Sequence, residues 1–164
     1  MFRLMTLAGA LLMSAACGGS STSVTSPTSA GGTTVTPLRG TMTAVIDGSP
    51  WTAAAITTAS YTNGILSIGG ADRVNPIRSI GLALTVAAPG TFVMGTLPSA
   101  ANAVLSIGIG PTWTANVAGG TGTIVITAIS STAASGTFFF TAVPAAGGAT
   151  GTHTATSGTF NITF

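Results

Sequence analysis

The sequence feature that most constrains the fold is a series of short runs rich in Thr, Val, Ile and Phe, separated by Gly, Pro, Asn and Asp. Apolar and polar residues alternate within these runs, which is the pattern of a strand that buries one face. No stretch places apolar residues at helical spacing, and the chain contains no Lys, Glu or Gln, which favour exposed helix surfaces. The sequence therefore predicts an all-β domain.

The runs suit a single domain that covers residues 39–164. About eight to ten short strands in a domain of this size are typical of one antiparallel β-sandwich or of a small β-barrel. The predicted strands are residues 41–46, 51–58, 65–68, 79–86, 91–94, 103–107, 112–117, 123–129, 137–143 and 159–164.

Two dipeptides between the predicted strands indicate tight hairpins. Asp47-Gly48 and Asn63-Gly64 tolerate the positive φ angles of a two-residue type I′ turn. The strand at 79–86 alternates large apolar residues with small ones, so we expect it to bury one face.

The pattern Gly-Thr followed by a large apolar residue begins at Gly90, Gly122, Gly136 and Gly158. Its spacing is irregular, which argues against a solenoid. We interpret these residues as turn glycines at the entries of hairpin strands.

The first 16 residues have the features of an export signal. Arg3 is followed by the apolar run 4–13, which is too short to span a membrane, and small residues precede Cys17. Cys17 is the only cysteine, and its surroundings resemble the lipobox of bacterial lipoproteins, although Ser14 replaces the usual branched apolar residue. The resemblance implies that signal peptidase cleaves before Cys17 and that this cysteine is lipidated.

We therefore expect an exported chain that is anchored to the membrane of the bacterial envelope through lipid on Cys17. Two or three acyl chains hold a protein firmly, whereas one binds reversibly. In a cell with two membranes, the lipobox resemblance implies sorting to the outer membrane, because Gly18 stands in place of an aspartate after the cysteine. Residues 17–38 are mostly Gly, Ser and Thr and are predicted to form a flexible tether. The alternative is a plain secretory peptide with an incidental cysteine.

Charge and cysteine content exclude several classes of protein. The formal charge is +2 and becomes +1 once Arg3 is removed with the signal. Nucleic-acid binding requires clustered Lys and Arg, so we do not expect a nucleic-acid partner. A single cysteine allows no internal disulfide.

Few residues have the chemistry of a catalytic or metal site. His153 lies in a predicted loop at 148–154 with no acid beside it, and Asp47 is explained as a turn residue. A Ser-His-Asp arrangement could be assembled only by tertiary folding from Asp47 or Asp72, and nothing local in the sequence indicates one. One histidine and two separated aspartates do not supply a metal site. We therefore expect no enzyme activity, no metal and no cofactor.

The cluster Asp72, Arg73 and Arg78 lies in or beside a predicted loop at 69–77. The simpler interpretation is a solvated loop with a surface ion pair that contributes under about 1 kcal/mol. The alternative is a small contact site for an anionic ligand.

Trp51, Trp113 and Tyr61 are candidates for ligand binding. Together they would form an aromatic platform for sugar rings or another small ligand, and the polar neighbours of Trp113 suggest partial exposure. The opposing interpretation places the tryptophans in the core.

The C-terminal segment 158–164 alternates apolar residues and resembles the closing strand of outer-membrane barrels. Most predicted strands are shorter than the 9–11 residues or so that such a barrel requires. A separate hypothesis is lateral self-association through edge strands, because these strands carry few charges that would prevent it.

Five segments carry a resemblance to a known family. They are AVIDGSPW at 44–51, PGTF at 89–92, GTIVIT at 122–127, SGTFFFTA at 135–142 and SGTF at 157–160. This ordered set resembles a family of uncharacterised bacterial lipoproteins, whose domain opens with a strand, an Asn-Gly or Asp-Gly turn and a tryptophan. The resemblance implies a β-sandwich-like domain with no known activity.

The sequence thus predicts a lipid-anchored, non-catalytic structural or binding module of the cell envelope. The expected partners are the membrane, through Cys17, and a glycan or an envelope protein. The alternatives are a carbohydrate- or ligand-binding domain that uses Trp51 and Trp113, or an outer-membrane barrel.

Overall fold

The structure, a computed structural model, describes residues 39–164. The predicted export signal, Cys17 and the tether lie outside the described residues. No helix long and apolar enough to cross a bilayer occurs within the described part of the chain.

The described residues form eleven β-strands, one more than the sequence suggested. They are β1 Gly40–Ile46, β2 Ser49–Thr52, β3 Ala55–Thr62, β4 Ile65–Ala71, β5 Arg78–Thr85, β6 Gly90–Val93, β7 Asn102–Ile107, β8 Thr112–Ala115, β9 Thr121–Ile129, β10 Ala133–Ala146 and β11 His153–Thr163.

All pairs of neighbouring strands are antiparallel, in the order β2-β1-β11-β10-β8-β7-β5-β4-β3. β10 connects the whole arrangement, because β11 pairs along one side while β9 and then β8 pair along the other. β6 adds to β9. The result is one curled sheet that forms a half-barrel. The prediction of an all-β domain is confirmed, and the architecture lies between the sandwich and the closed barrel.

The core lies on the inner face of this sheet. Apolar side chains of β1, β4, β5 and β9–β11 are buried there, whereas Thr and Ser occupy many outer positions of the same strands. The predicted buried face of 79–86 is confirmed by Ile80, Leu82, Leu84 and Val86.

The segment predicted as one strand at 51–58 is in fact two strands, β2 and β3, at opposite edges of the sheet. Between them, the N–H of Ala53 donates to the carbonyl of Met42 at 2.9 Å, and the N–H of Ala54 donates to Ala71 at 2.8 Å. This link joins the two edges of the half-barrel. The alternation of apolar and polar residues alone cannot show where a chain passes from one edge of a sheet to the other.

Both predicted hairpin turns are confirmed. Asp47 and Gly48 have φ angles of 47° and 80°, and Asn63 and Gly64 have φ angles of 52° and 77°. Positive φ at both central residues is the signature of a type I′ turn.

The interpretation of Gly136 and Gly158 as turn glycines is wrong, because both lie within strands. Gly136 of β10 pairs with Phe160 of β11, and Phe138 pairs with Gly158. Each phenylalanine ring covers its partner glycine: a Cβ built on Gly158 would lie 2.5 Å from the Phe138 ring, and one on Gly136 would lie 2.7 Å from the Phe160 ring. Two Gly-Thr-Phe segments are therefore self-complementary in an antiparallel ladder.

We predict that Gly136→Ala lowers the free energy of unfolding by about 1–3 kcal/mol, because its methyl group would collide with the Val125 carbonyl and the Phe160 ring. Urea denaturation of the full chain measures this loss. Gly81→Ala is the matched control, since no atom lies within 4 Å of a Cβ on Gly81 of β5. Equal stability of the two variants would contradict the ring-over-glycine explanation.

Candidate functional site

Most of the ionisable residues and both tryptophans lie near one end of the half-barrel. The strand registers place the turn 47–48 and the loops 72–77, 108–111 and 147–152 at this end, which we call the loop end. Gly40, where the described chain enters β1, pairs with Ile162 at the opposite end.

His153 and Asp47, which are 106 residues apart, meet at the loop end. The Nδ1 atom of His153 lies 2.5 Å from Oδ2 of Asp47, while Oδ1 accepts hydrogen bonds from the backbone N–H and the hydroxyl of Thr154 at 2.8 and 3.3 Å. The expectation that His153 lies in a loop without a neighbouring acid is wrong. His153 begins β11, and the pairing of β1 with β11 brings the acid to it.

The indole ring of Trp113 packs against His153 of this pair. Its ring meets the His153 ring edge-on, with centroids 4.3 Å apart and an interplanar angle of 80°. The indole N–H donates to the carbonyls of Thr150 and Gly151 at 3.3 and 3.2 Å, which holds the loop 147–152 over the core. Trp113 is only 6% exposed. The partial exposure expected for Trp113 is therefore wrong, since its polar neighbours alternate with it on the other face of β8.

The surroundings of Asp47 change its pKa in two directions. Partial burial raises the pKa, but the hydrogen bonds from His153 and Thr154 and the charge of His153 outweigh it, so the pKa falls below the ordinary value of 3.8. A lowered pKa in the folded state means that this carboxylate stabilises the fold above the unfolded pKa. The stabilisation is lost as the pH falls through the folded pKa.

Asp72 and Arg78 form a second ion pair, which is not the solvated surface pair expected from the sequence. Asp72 is 6% exposed, and its Oδ2 accepts from Nε of Arg78 at 2.8 Å. Its Oδ1 accepts from the backbone N–H groups of Arg78 and Val74 at 2.8 and 3.3 Å. Arg78 also donates from Nη2 to the Pro50 carbonyl at 3.2 Å. The pair fastens the loop 72–77 to β2 through Nε and Nη2 of Arg78, while Arg73 in the same loop is exposed.

Trp51 and Tyr61 do not combine with Trp113 into a platform. Trp51 is 1% exposed, and its indole N–H donates to the Arg78 carbonyl at 3.1 Å. Tyr61 is half-buried, and its hydroxyl donates to the Val86 carbonyl at 2.9 Å. The two tryptophans are core residues, so neither presents a free ring face to a sugar.

Sequence reasoning missed an exposed apolar surface at the loop end. Val74, Ile77 and Ile109 are exposed, Ile109 completely so at 104%. The N–H of Gly108 donates to the Ile77 carbonyl at 2.8 Å, which holds the two loops together around a groove of about 450 Å³. The sequence does contain a sign of this surface. These apolar residues stand among Gly, Pro and Asn, which indicates that they lie in loops and not in strands.

Within residues 39–164, no three His, Cys, Asp or Glu side chains form a group that could hold a metal ion.

The family model of a domain of unknown function, DUF6252, matches residues 39–162. No curated protein and no solved structure matches the chain.

We predict that Asp47→Asn makes stability less sensitive to acid. The wild-type chain should lose unfolding free energy between about pH 5 and pH 2, and the variant should lose less over the same range, because the lowered pKa of Asp47 no longer contributes. Urea denaturation at a series of pH values measures both curves. Parallel curves for the two chains would show that the contacts with His153 and Thr154 do not stabilise the charged form.

Proposed function

The chain belongs to the DUF6252 family, a family of unknown function, and we propose from its own residues that it is an exported lipoprotein of the bacterial envelope. In this proposal Cys17 carries the lipid, and residues 39–164 are a non-catalytic structural or binding module. The outer membrane is the proposed location.

The observation that carries the proposal is the order of features at the start of the sequence. An apolar run at 4–13 is followed by small residues, by Cys17, and then by a segment of Gly, Ser and Thr that leads to the folded domain. This order matches what export, cleavage and lipidation require in turn. It assigns the single cysteine a chemical role.

The contacts of the ionisable residues support a structural role for them. Asp47 accepts hydrogen bonds from His153 and Thr154, and Asp72 accepts them from Val74 and Arg78. Both carboxylates therefore hold strand ends and loops in place. Because these carboxylates serve as hydrogen-bond acceptors within the fold, we favour a non-catalytic module.

The position of the loop end supports a binding role at that surface. The described chain enters at Arg39 and Gly40, at the end of β1 away from the loops, so the predicted tether would leave the domain at the end opposite the loop end. Exposed apolar side chains next to a groove are typical of protein interaction sites. We propose an envelope protein with an apolar surface as the partner. The alternative of a sugar on Trp51 and Trp113 has less support, because both rings are buried.

We predict that Cys17→Ala abolishes incorporation of radiolabelled palmitate into the full chain. The lost thioether and the uncleaved signal are the physical reason. Ser14→Leu is the matched control, because it restores the usual branched residue and should leave labelling intact. Undiminished labelling of the Cys17→Ala chain would refute the anchor.

We predict that Ile109→Ser weakens capture of envelope proteins by the full chain and leaves its urea midpoint unchanged, because the side chain is fully exposed. Val117→Ser is the matched control, since Val117 is an exposed apolar residue away from the loop end. Quantitative pull-down followed by mass spectrometry compares the two variants. Equal capture by both would argue against binding at the loop end.

A further inference from the structure

Among the described residues, three strands have a neighbour on one side only, namely β2, β3 and β6. β2 and β6 have four residues each, and β2 includes Pro50. β3 has eight residues, with no charged residue and no proline among them. Natural edge strands are usually protected by charge, proline or a bulge. β3 has one bulge, at Thr57, and beyond it residues 58–62 pair regularly with β4.

The hydrogen-bond pattern shows which backbone groups of β3 face away from β4. The N–H of Val86 donates to the Gly64 carbonyl at 2.8 Å, so the backbone N–H and carbonyl groups of even-numbered residues from 64 onward point toward β5. The backbone groups of Ile65 and Ser67, which alternate with them, point toward β3. Their partners Thr62 and Ser60 therefore bond to β4. The N–H and carbonyl groups of Ala59 and Tyr61, which alternate with them, face outward.

We propose that the β3 edges of two copies of this chain pair antiparallel about a twofold axis at Ser60. In this register Ala59 of each copy lies opposite Tyr61 of the other, and the outward groups of both form about four backbone hydrogen bonds. Ser60 faces its own counterpart as the non-hydrogen-bonded pair. The contact uses the same surface on both copies, so it closes at a dimer.

The chemistry of the edge favours a second copy as the occupant. The side chains that would meet on the outer face are Thr58, Ser60 and Thr62, which are exposed, small and uncharged. Identical strands meet in this arrangement without like-charge repulsion, and hydroxyls face hydroxyls. The same register satisfies the outward groups of both partners at once. This inference does not depend on the lipid anchor or on the loop end.

The test is disulfide cross-linking of the full chain carrying Ser60→Cys, with mild oxidation and a non-reducing gel. A non-hydrogen-bonded antiparallel pair separates its Cα atoms by about 4.5 Å, which lies within the range that a disulfide spans. Thr156→Cys is the matched control, an exposed residue of β11 that has β1 and β10 on its two sides. The unmodified chain sets the baseline from Cys17.

We expect about tenfold more covalent dimer from Ser60→Cys than from Thr156→Cys, because only the first places two thiols within disulfide geometry. Adding Ala59→Pro should reduce the dimer to the control level, since it removes an outward N–H without touching the β4 ladder. If Ala59→Pro lowers the urea midpoint, Thr58→Lys with Thr62→Lys replaces it, because it sets lysines opposite each other. Equal dimer from Ser60→Cys and Thr156→Cys, or dimer that survives both blocking changes, would overturn the proposal.

Discussion

The rest of the sheet depends on the ladder in which the phenylalanines of β10 and β11 cover each other's glycines. Phe138 lies over Gly158 and Phe160 lies over Gly136, so each ring takes the space that a side chain on the opposite strand would occupy. Such pairs bury large apolar surfaces within a single ladder, and a shift in register would separate each ring from its glycine. β10 then has a fixed position from which β9, β8 and their neighbours extend, while β11 carries β1 and β2.

The second requirement is to bring the two ends of the sheet together. Gly70 of β4 allows this, because a Cβ there would lie 3.2 Å from the Trp51 ring and 3.3 Å from the Met42 sulfur. Trp51 and Arg78 then join β2 to the start of β5 through hydrogen bonds to backbone carbonyls. Residues that suggest ligand chemistry in the sequence are used to close the half-barrel, which explains why no aromatic surface is left at these positions.

The small number of charged residues also explains the composition of the surface. The ion pairs hold strand ends, so the remaining exterior is mostly Thr, Ser, Ala and Gly, with scattered exposed apolar side chains that include Val74, Ile77 and Ile109 at the loop end. A domain with so little charge has weak protection against association. The anchor, the partner on the loop end and the pairing at β3 that we propose are three independent ways in which such a surface would be used.

The sequence by itself determined the all-β class, the type I′ turns at 47–48 and 63–64 and the inward face of β5, because turn conformations and alternation depend on neighbouring residues. Only the tertiary structure decided that residues 51–58 divide between two edges, that the Gly-Thr-Phe segments pair with each other, and that Asp47 meets His153. These contacts join residues far apart in the chain, and local pattern contains no information on which strands become neighbours.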